Sequence, residues 1–399
     1  MTSLSDFIKN LSDYIYSEDK KYEELFKHIK SPTNLLSSLR DLNNHIGNDG
    51  IKTKITNQTI HLIKRNKRIA DGEEIKSKNM LNVCLYGGPG IGKTTIAKII
   101  GRIMLSVGSI KNKTTHTQEL KKRVKDPDRW FQLYILFIIA LFIIPMFADP
   151  VWIFVVVLIL LIIAFIILYT DNTVDRAETL EDTPEGSVIL ASKSDLVGQY
   201  LGQSQPKTRA LLEKARGGVL IIDEAYEIVT EGRDLFGHEV LTELNLFMSE
   251  NADEIAIIMC GYKDQMQERL FTTQPGLERR FMHHFDCEEY SGEDLVKIFE
   301  LQLKNEGYSI VREDRDEIVD LFDSNYLKNQ GGDTEKLSYL VVMEKTGGLD
   351  SEPDKFITYD DVYAALPSLH ISKDKSNGKG DRGEDTRAIE EMIKKLMKK

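Results

Sequence analysis

Two clusters of residues in this chain are suited to work on phosphate. The first is Gly87-Gly88-Pro89-Gly90-Ile91-Gly92-Lys93-Thr94-Thr95, which fits the pattern Gly-x-x-x-x-Gly-Lys-Thr of a phosphate-binding loop. Its glycines let backbone N–H groups curl around phosphate oxygens without a Cβ in the way. A helix starting at the end of the loop adds partial positive charge at the same point. Lys93 is placed to reach the β- and γ-phosphates of a nucleotide, and the Thr94 hydroxyl to ligate Mg²⁺. The second cluster is Asp223-Glu224, which ends the apolar run Gly217-Gly218-Val219-Leu220-Ile221-Ile222. Asp223 would complete the Mg²⁺ shell, and Glu224, one residue on, would polarise an attacking water. ATP and Mg²⁺ are the expected ligands.

Both clusters need a scaffold that brings them together. Asn82-Val83-Cys84-Leu85-Tyr86 reads as a short buried strand feeding the glycine loop, and Ile96, Ile99, Ile100 and Ile103 recur behind it at helical spacing. The run that ends in Asp223 has the form of a buried parallel strand that delivers acids to its C-terminal end, where α/β sheets place ligands. Gly186 to Ala191 and Ile255 to Tyr262 read as two more strands, with helices over Pro206 to Ala215 and Asp234 to Ser249. This alternation predicts an α/β fold with a doubly wound parallel sheet. From Ser291 onward four helices follow, over Leu295 to Glu306, Asp314 to Tyr326, Asp333 to Glu344 and Thr358 to Leu366, which would form a C-terminal helical lid. Phe7, Ile8, Leu11, Tyr14 and Ile15 form an amphipathic stripe in an appended N-terminal region.

The chain has 399 residues, room for two or three compact units, and a net charge of −11. That acidic balance argues against nucleic acid as a partner, because nucleic-acid binding calls for a basic surface. The three cysteines, Cys84, Cys260 and Cys287, have no spacing that suggests a disulfide framework or a zinc cluster. A reducing compartment follows from that usage. His283 and His284 are adjacent on a strand and so point to opposite faces, which argues against a metal site.

Residues 130–169 stand apart. Trp130 to Phe147 is 18 residues with one polar side chain, Gln132, and Val151 to Tyr169 is 19 residues with no charge. As helices each would run roughly 27–28 Å, close to the hydrocarbon core of a bilayer. Trp130, Tyr134, Trp152 and Tyr169 lie near the ends of the spans, and Lys121-Lys122-Arg123-Val124-Lys125 precedes the first. The expectation is a two-helix membrane hairpin in a multi-pass membrane protein, with membrane lipids as partners and the catalytic core on the cytoplasmic side. A hairpin dipping into one leaflet and a pair of buried core helices are the open alternatives. Two spans return the chain to the side it left, so the sheet could be interrupted by the hairpin and still close as one domain.

The domain plan is therefore a helical region over 1–40, the first part of the core over 41–113, an insertion over 114–185 with spans at 130–147 and 151–169, the second part of the core over 186–290, the lid over 291–370, and a linker with a short amphipathic tail helix over 371–399.

Further along the chain, Asp195-Leu196-Val197-Gly198-Gln199-Tyr200-Leu201-Gly202-Gln203-Ser204, Asp223-Glu224-Ala225-Tyr226, Cys260-Gly261-Tyr262-Lys263-Asp264 and Gln274-Pro275-Gly276-Leu277-Glu278-Arg279-Arg280-Phe281 follow one another in an order that carries a resemblance. The chain resembles the AAA+ ATPases of the red-type rubisco activase branch, which sporulation-type ATPases share. The resemblance covers roughly residues 40–112 and 186–345. It implies a ring, a homo-hexamer with ATP between subunits, that remodels or translocates a protein substrate. It implies that Tyr200-Leu201-Gly202 is a pore loop gripping a polypeptide, and that Arg280 is an arginine finger acting on the neighbouring subunit's nucleotide, with Arg279 as competitor. An ATP-dependent scaffold or nucleotide switch without threading is the alternative. Two positions depart from the family pattern. Gly261-Tyr262 stands where an Asn or Thr usually positions the water. The lid helix has no second-sensor arginine, and Lys336 stands as the candidate.

Overall fold

A computed structural model describes residues 2–17, 21–75, 81–111, 178–183, 186–230, 234–324, 327–346 and 354–371. The chain divides into two units, one of residues 1–88 and 92–287, the other of residues 89–91 and 288–399.

The first unit is built on a six-stranded sheet of order β2-β3-β4-β5-β1-β6. Its strands are β1 (Val83–Tyr86), β2 (Glu178–Thr183), β3 (Gly186–Ala191), β4 (Val219–Ile222), β5 (Ala256–Gly261) and β6 (His283–Asp286). All neighbours are parallel except β2 and β3, which are antiparallel. The central strands β1, β4 and β5 are buried along their whole length, as their unbroken apolar runs require of strands covered on both faces. β5 lies between β1 and β4: Leu85 is opposite Cys260, and Ile222 is opposite Met259. The phosphate loop and the acid pair therefore leave the same edge of the sheet, one strand apart.

Helices cover the sheet. The N-terminal region contributes α1 (Leu4–Tyr16), α2 (Pro32–Asn44) and α3 (Asp49–Ala70), with a single helical turn at Glu23–Phe26, and α2 and α3 pack on the helix that follows the glycine loop. The Ser3 side chain caps α1 by accepting from the Asp6 N–H, and Phe7 and Leu11 are its buried points. α4 (Lys93–Val107) follows the glycine loop, and Ile96, Ile99, Ile100 and Ile103 are all buried. α5 (Ser204–Ala215) and α6 (Leu235–Glu250) follow β3 and β4. Leu212, Leu220, Leu244, Phe247, Ile257 and Met259 belong to one core cluster.

β2 was not legible. The stretch Asp171 to Glu185 reads as a polar link, yet Glu178–Thr183 pairs with β3. Its sequence, Glu-Thr-Leu-Glu-Asp-Thr, has no apolar run or strong alternation, because an edge strand can be held by backbone hydrogen bonds alone. The sheet therefore begins inside the stretch assigned to the insertion.

The second unit holds α7 (Gly292–Asn305), β7 (Ser309–Ile310), α8 (Arg315–Asp323), α9 (Gly331–Lys345), β8 (Phe356–Ile357) and α10 (Tyr359–Ile371). The Ser291 side chain caps α7 by accepting from the Asp294 N–H. Phe299, Leu303, Ile318, Phe322, Leu337 and Val341 form its core. β7 and β8 pair in parallel, a two-residue contact too short to leave a periodic signature. Within this unit the Tyr290 hydroxyl donates to the Ile91 carbonyl at 3.1 Å. A Cβ on Gly90, whose φ is +72°, would lie 1.8 Å from the Asn329 carbonyl oxygen, so only glycine fits there.

The localisation expected from hydropathy is corrected. Among the described residues no helix is long and apolar enough to cross a membrane. The longest, α3, spans 22 residues but carries Lys52, Lys54, Lys64, Arg65, Lys67 and Arg68, whose charge a hydrocarbon core does not accept. The expected spans 130–147 and 151–169 lie outside the described residues, as does the tail helix. A multi-pass, two-span protein with its core on the cytoplasmic side is not the reading carried forward.

Candidate functional site

The glycine loop leaves β1 through backbone geometry that side chains resist. Gly87, Gly90 and Gly92 have φ of 156°, 72° and 77°. The Gly87 N–H donates to the Gly261 carbonyl at 3.2 Å, which ties the start of the loop to the end of β5. Gly92 is the N-cap of α4, so the loop opens directly onto a helix N-terminus. Lys93, first in the helix, is only 6% exposed. Its ammonium donates to the Gly88 carbonyl at 2.7 Å and lies 5.1 Å from the centroid of the Tyr262 ring.

The two clusters meet. The Thr94 hydroxyl donates to Asp223 Oδ2 at 2.6 Å, joining residues 129 apart in sequence. The other Asp223 oxygen accepts the Glu224 N–H at 3.0 Å. Glu224 has φ of +46°, a left-handed conformation that costs a non-glycine residue roughly 1 kcal/mol. Its Oε2 is buried with no hydrogen-bond partner among the described residues. A hydroxyl and a carboxylate in contact, beside a loop of phosphate-binding geometry, form an oxygen donor set that suits Mg²⁺. Thr94 and Asp223 are the residues that would hold it.

Some contributors carried no sequence signal. Asn82, only 6% exposed, accepts the Ile257 N–H at 2.9 Å and donates to the Arg280 carbonyl at 3.0 Å, joining β1 to β5 and to the segment before β6. A hydrophobic-run reading sees Asn82 only as the start of a strand. Tyr86 and His284 meet across β1 and β6. The Tyr86 hydroxyl is 2.7 Å from His284 Nδ1, and His284 Nε2 is 2.8 Å from the Phe281 carbonyl. Both ring nitrogens of His284 are thus engaged by protein groups. Burial drives the Cys84 and Cys260 thiols well above their ordinary range and Cys287 up to about 12, so all three act as apolar packing.

Arg280 lies in the first unit with its guanidinium turned inward. Nε donates to Ser249 Oγ at 2.8 Å and to the Asn245 carbonyl at 3.2 Å, and Nη1 donates to the Gly276 carbonyl at 2.8 Å. Arg279 is exposed, and its side chain makes no hydrogen bond or ion pair among the described residues. The two arginines differ in what their loss does to the fold. Arg280→Ala is expected to lower stability by about 2 kcal/mol, because it removes a charged donor and strands its acceptors. Arg279→Ala is expected to stay within about 0.5 kcal/mol of the parent. Denaturant titration of both variants checks this.

Tyr200-Leu201-Gly202 precedes α5 on the surface. Tyr200 and Leu201 are each 62% exposed, and Gly202, at φ of +83°, donates its N–H to Glu239 Oε1 at 3.1 Å. Two large apolar side chains presented at the tip of a short turn are costly in water unless they meet something.

Residues 177–285 match the model of the ATPase family associated with various cellular activities (AAA). The matched stretch runs from β2 to β6 and includes Asp223 and Glu224; the glycine loop lies before it. Over 131 residues, 33% of this chain, the sequence is 40% identical to the chromosomal protein CbxX of Cupriavidus necator. Over 130 residues it is 38% identical to the chloroplastic ribulose bisphosphate carboxylase/oxygenase activase of Cyanidioschyzon merolae. The chain spans 41% and 44% of the length of these two relatives. Among solved structures the AAA domain of FIGL-1 with ADP is similar at a TM-score of 0.49 and 15% identity, covering 87% of this chain and 88% of that one, a likeness too weak to bear on function.

Proposed function

We propose that this chain is an AAA+ ATPase that hydrolyses ATP to remodel a protein substrate as part of a ring of identical subunits. The observation that carries the reading is the 2.6 Å contact between Thr94 and Asp223. It supports a metal held by Thr94 and Asp223 beside the glycine loop, next to a Glu224 oxygen with no hydrogen-bond partner among the described residues.

In this reading the N–H groups from Gly87 to Thr95 hold the phosphates. The Lys93 ammonium turns from the Gly88 carbonyl to the β- and γ-oxygens. Mg²⁺, when bound, neutralises charge developing on the transferred phosphoryl group. Glu224 takes a proton from the attacking water through the oxygen that has no other partner. An arginine from the neighbouring subunit, Arg280 or its exposed neighbour Arg279, would stabilise the same charge from outside. The likeness to a protein described as a ribulose bisphosphate carboxylase/oxygenase activase, together with the exposed Tyr200-Leu201 tip, favours a polypeptide as the thing moved. The proposed ring is six-membered, with Tyr200-Leu201-Gly202 lining its pore.

Replacing Tyr200 by Ala tests the coupling. The variant is expected to keep parental ATP turnover within about twofold, since Tyr200 is exposed on a surface turn. It should lose substrate processing, read as release of a labelled polypeptide from a complex that the parent dissociates. Normal processing by this variant would favour a nucleotide switch that works without gripping a chain.

A further inference from the structure

The end of β5 occupies the middle of the site. Because β5 lies between β1 and β4, Gly261 and Tyr262 emerge between the phosphate loop and the acid pair. No short amide or hydroxyl side chain stands there. Two tyrosines do. The rings of Tyr226 and Tyr262 pack at 5.2 Å between centroids, tilted by 31°. Tyr226 follows Glu224 by two residues on the same turn, and Tyr262 carries the Lys93 ammonium 5.1 Å from its ring centroid. Gly261 makes room for the pair, since a Cβ there would lie 2.9 Å from Tyr226 Cδ1 and 3.0 Å from Met266 Sδ.

We infer that Tyr226 and Tyr262 are the positioning residues of this site, the ring of Tyr262, packed against that of Tyr226, seating the Lys93 ammonium and the two hydroxyls orienting the Glu224 carboxylate and the water beside it. The inference rests on the ATPase reading and supplies what Gly261-Tyr262 lacks as an ordinary sensor. The two phenols suit the task. Burial first, and then the Glu224 carboxylate, push the Tyr226 phenol well up. Burial, followed by the charge of Glu224, pushes Tyr262 up as well. Both therefore remain protonated donors at neutral pH, and Tyr226 lies two residues from Glu224 on the same turn. A cation over an aromatic face keeps its charge while being held in direction, so the ring of Tyr262 and its hydroxyl have separable roles.

The separation gives the test. Steady-state ATP turnover and melting temperature would be measured for the full chain, Glu224→Gln, Tyr226→Phe, Tyr262→Phe and Tyr262→Leu. Each Phe variant keeps the ring and loses only the hydroxyl, and is expected to lower kcat about tenfold with KM for ATP within twofold of the parent. Tyr262→Leu removes the ring face and should in addition raise KM roughly threefold to tenfold. Melting temperatures of the Phe variants should match the parent. Unchanged kcat in both Phe variants overturns the inference, as does a fall in kcat that tracks a fall in melting temperature. If Glu224→Gln itself retains parental turnover, the ATPase reading has failed; if Glu224→Gln is inactive and the Phe variants are not, only the tyrosine roles have failed.

Discussion

Glu224→Gln is expected to bind ATP with near-parental affinity and to release phosphate about 10²–10⁴-fold more slowly. The amide keeps the size and the left-handed turn of the parent side chain but cannot accept a proton from water. Glu224 has no salt bridge among the described residues, and its Oε2 has no hydrogen-bond partner there, so the substitution should leave the fold intact. Binding measured by a fluorescent ATP analogue and turnover measured by phosphate release would separate the two effects. Parental turnover in this variant would remove Glu224 from the chemistry.

Lys93→Ala should act one step earlier. The ammonium is nearly buried at the first position of α4, between the Gly88 carbonyl and the Tyr262 ring. Without it the loop retains its N–H groups but loses the one full positive charge aimed at the β- and γ-phosphates. A charged hydrogen bond to phosphate of about 3 kcal/mol corresponds to an ATP affinity lowered by about 10²-fold. The fold should suffer little, because alanine is a strong helix former at the first position of α4. Calorimetric titration with ATP and Mg²⁺ checks the affinity, and an unchanged Kd would show that phosphate is held elsewhere. Together the two variants place binding on the loop and chemistry on the strand end.

How much of this was written in the chain depends on how local each feature is. The glycine loop was legible because its constraint lies within nine consecutive residues: the φ values of Gly87, Gly90 and Gly92 are ones that glycine tolerates and other residues resist. Asp223 and Glu224 were singled out less by the apolar run, since many strands end in acids, than by their distance beyond the glycine loop once the insertion is subtracted. Their contact with Thr94 was an expectation that only the strand order could meet. The polar edge strand β2 was not legible, since backbone pairing needs no side-chain pattern. Neither was the meeting of Tyr226 with Tyr262, which depends on β5 lying beside β4 and on the missing Cβ of Gly261. The inward turn of Arg280 was hidden for a similar reason, because Ser249 and Asn245 reach it from a helix some thirty residues earlier. Hydropathy led to a membrane assignment that the described helices do not carry.

The central claim is that ATP is cleaved where Thr94, Asp223 and Glu224 converge. The most direct test is phosphate release by the full chain under saturating ATP, with and without Mg²⁺, beside Glu224→Gln from the same preparation. The expected result is saturable release that needs Mg²⁺, stops when a chelator is added and is nearly absent from the variant. Release that ignores Mg²⁺, or that Glu224→Gln matches, would contradict the account.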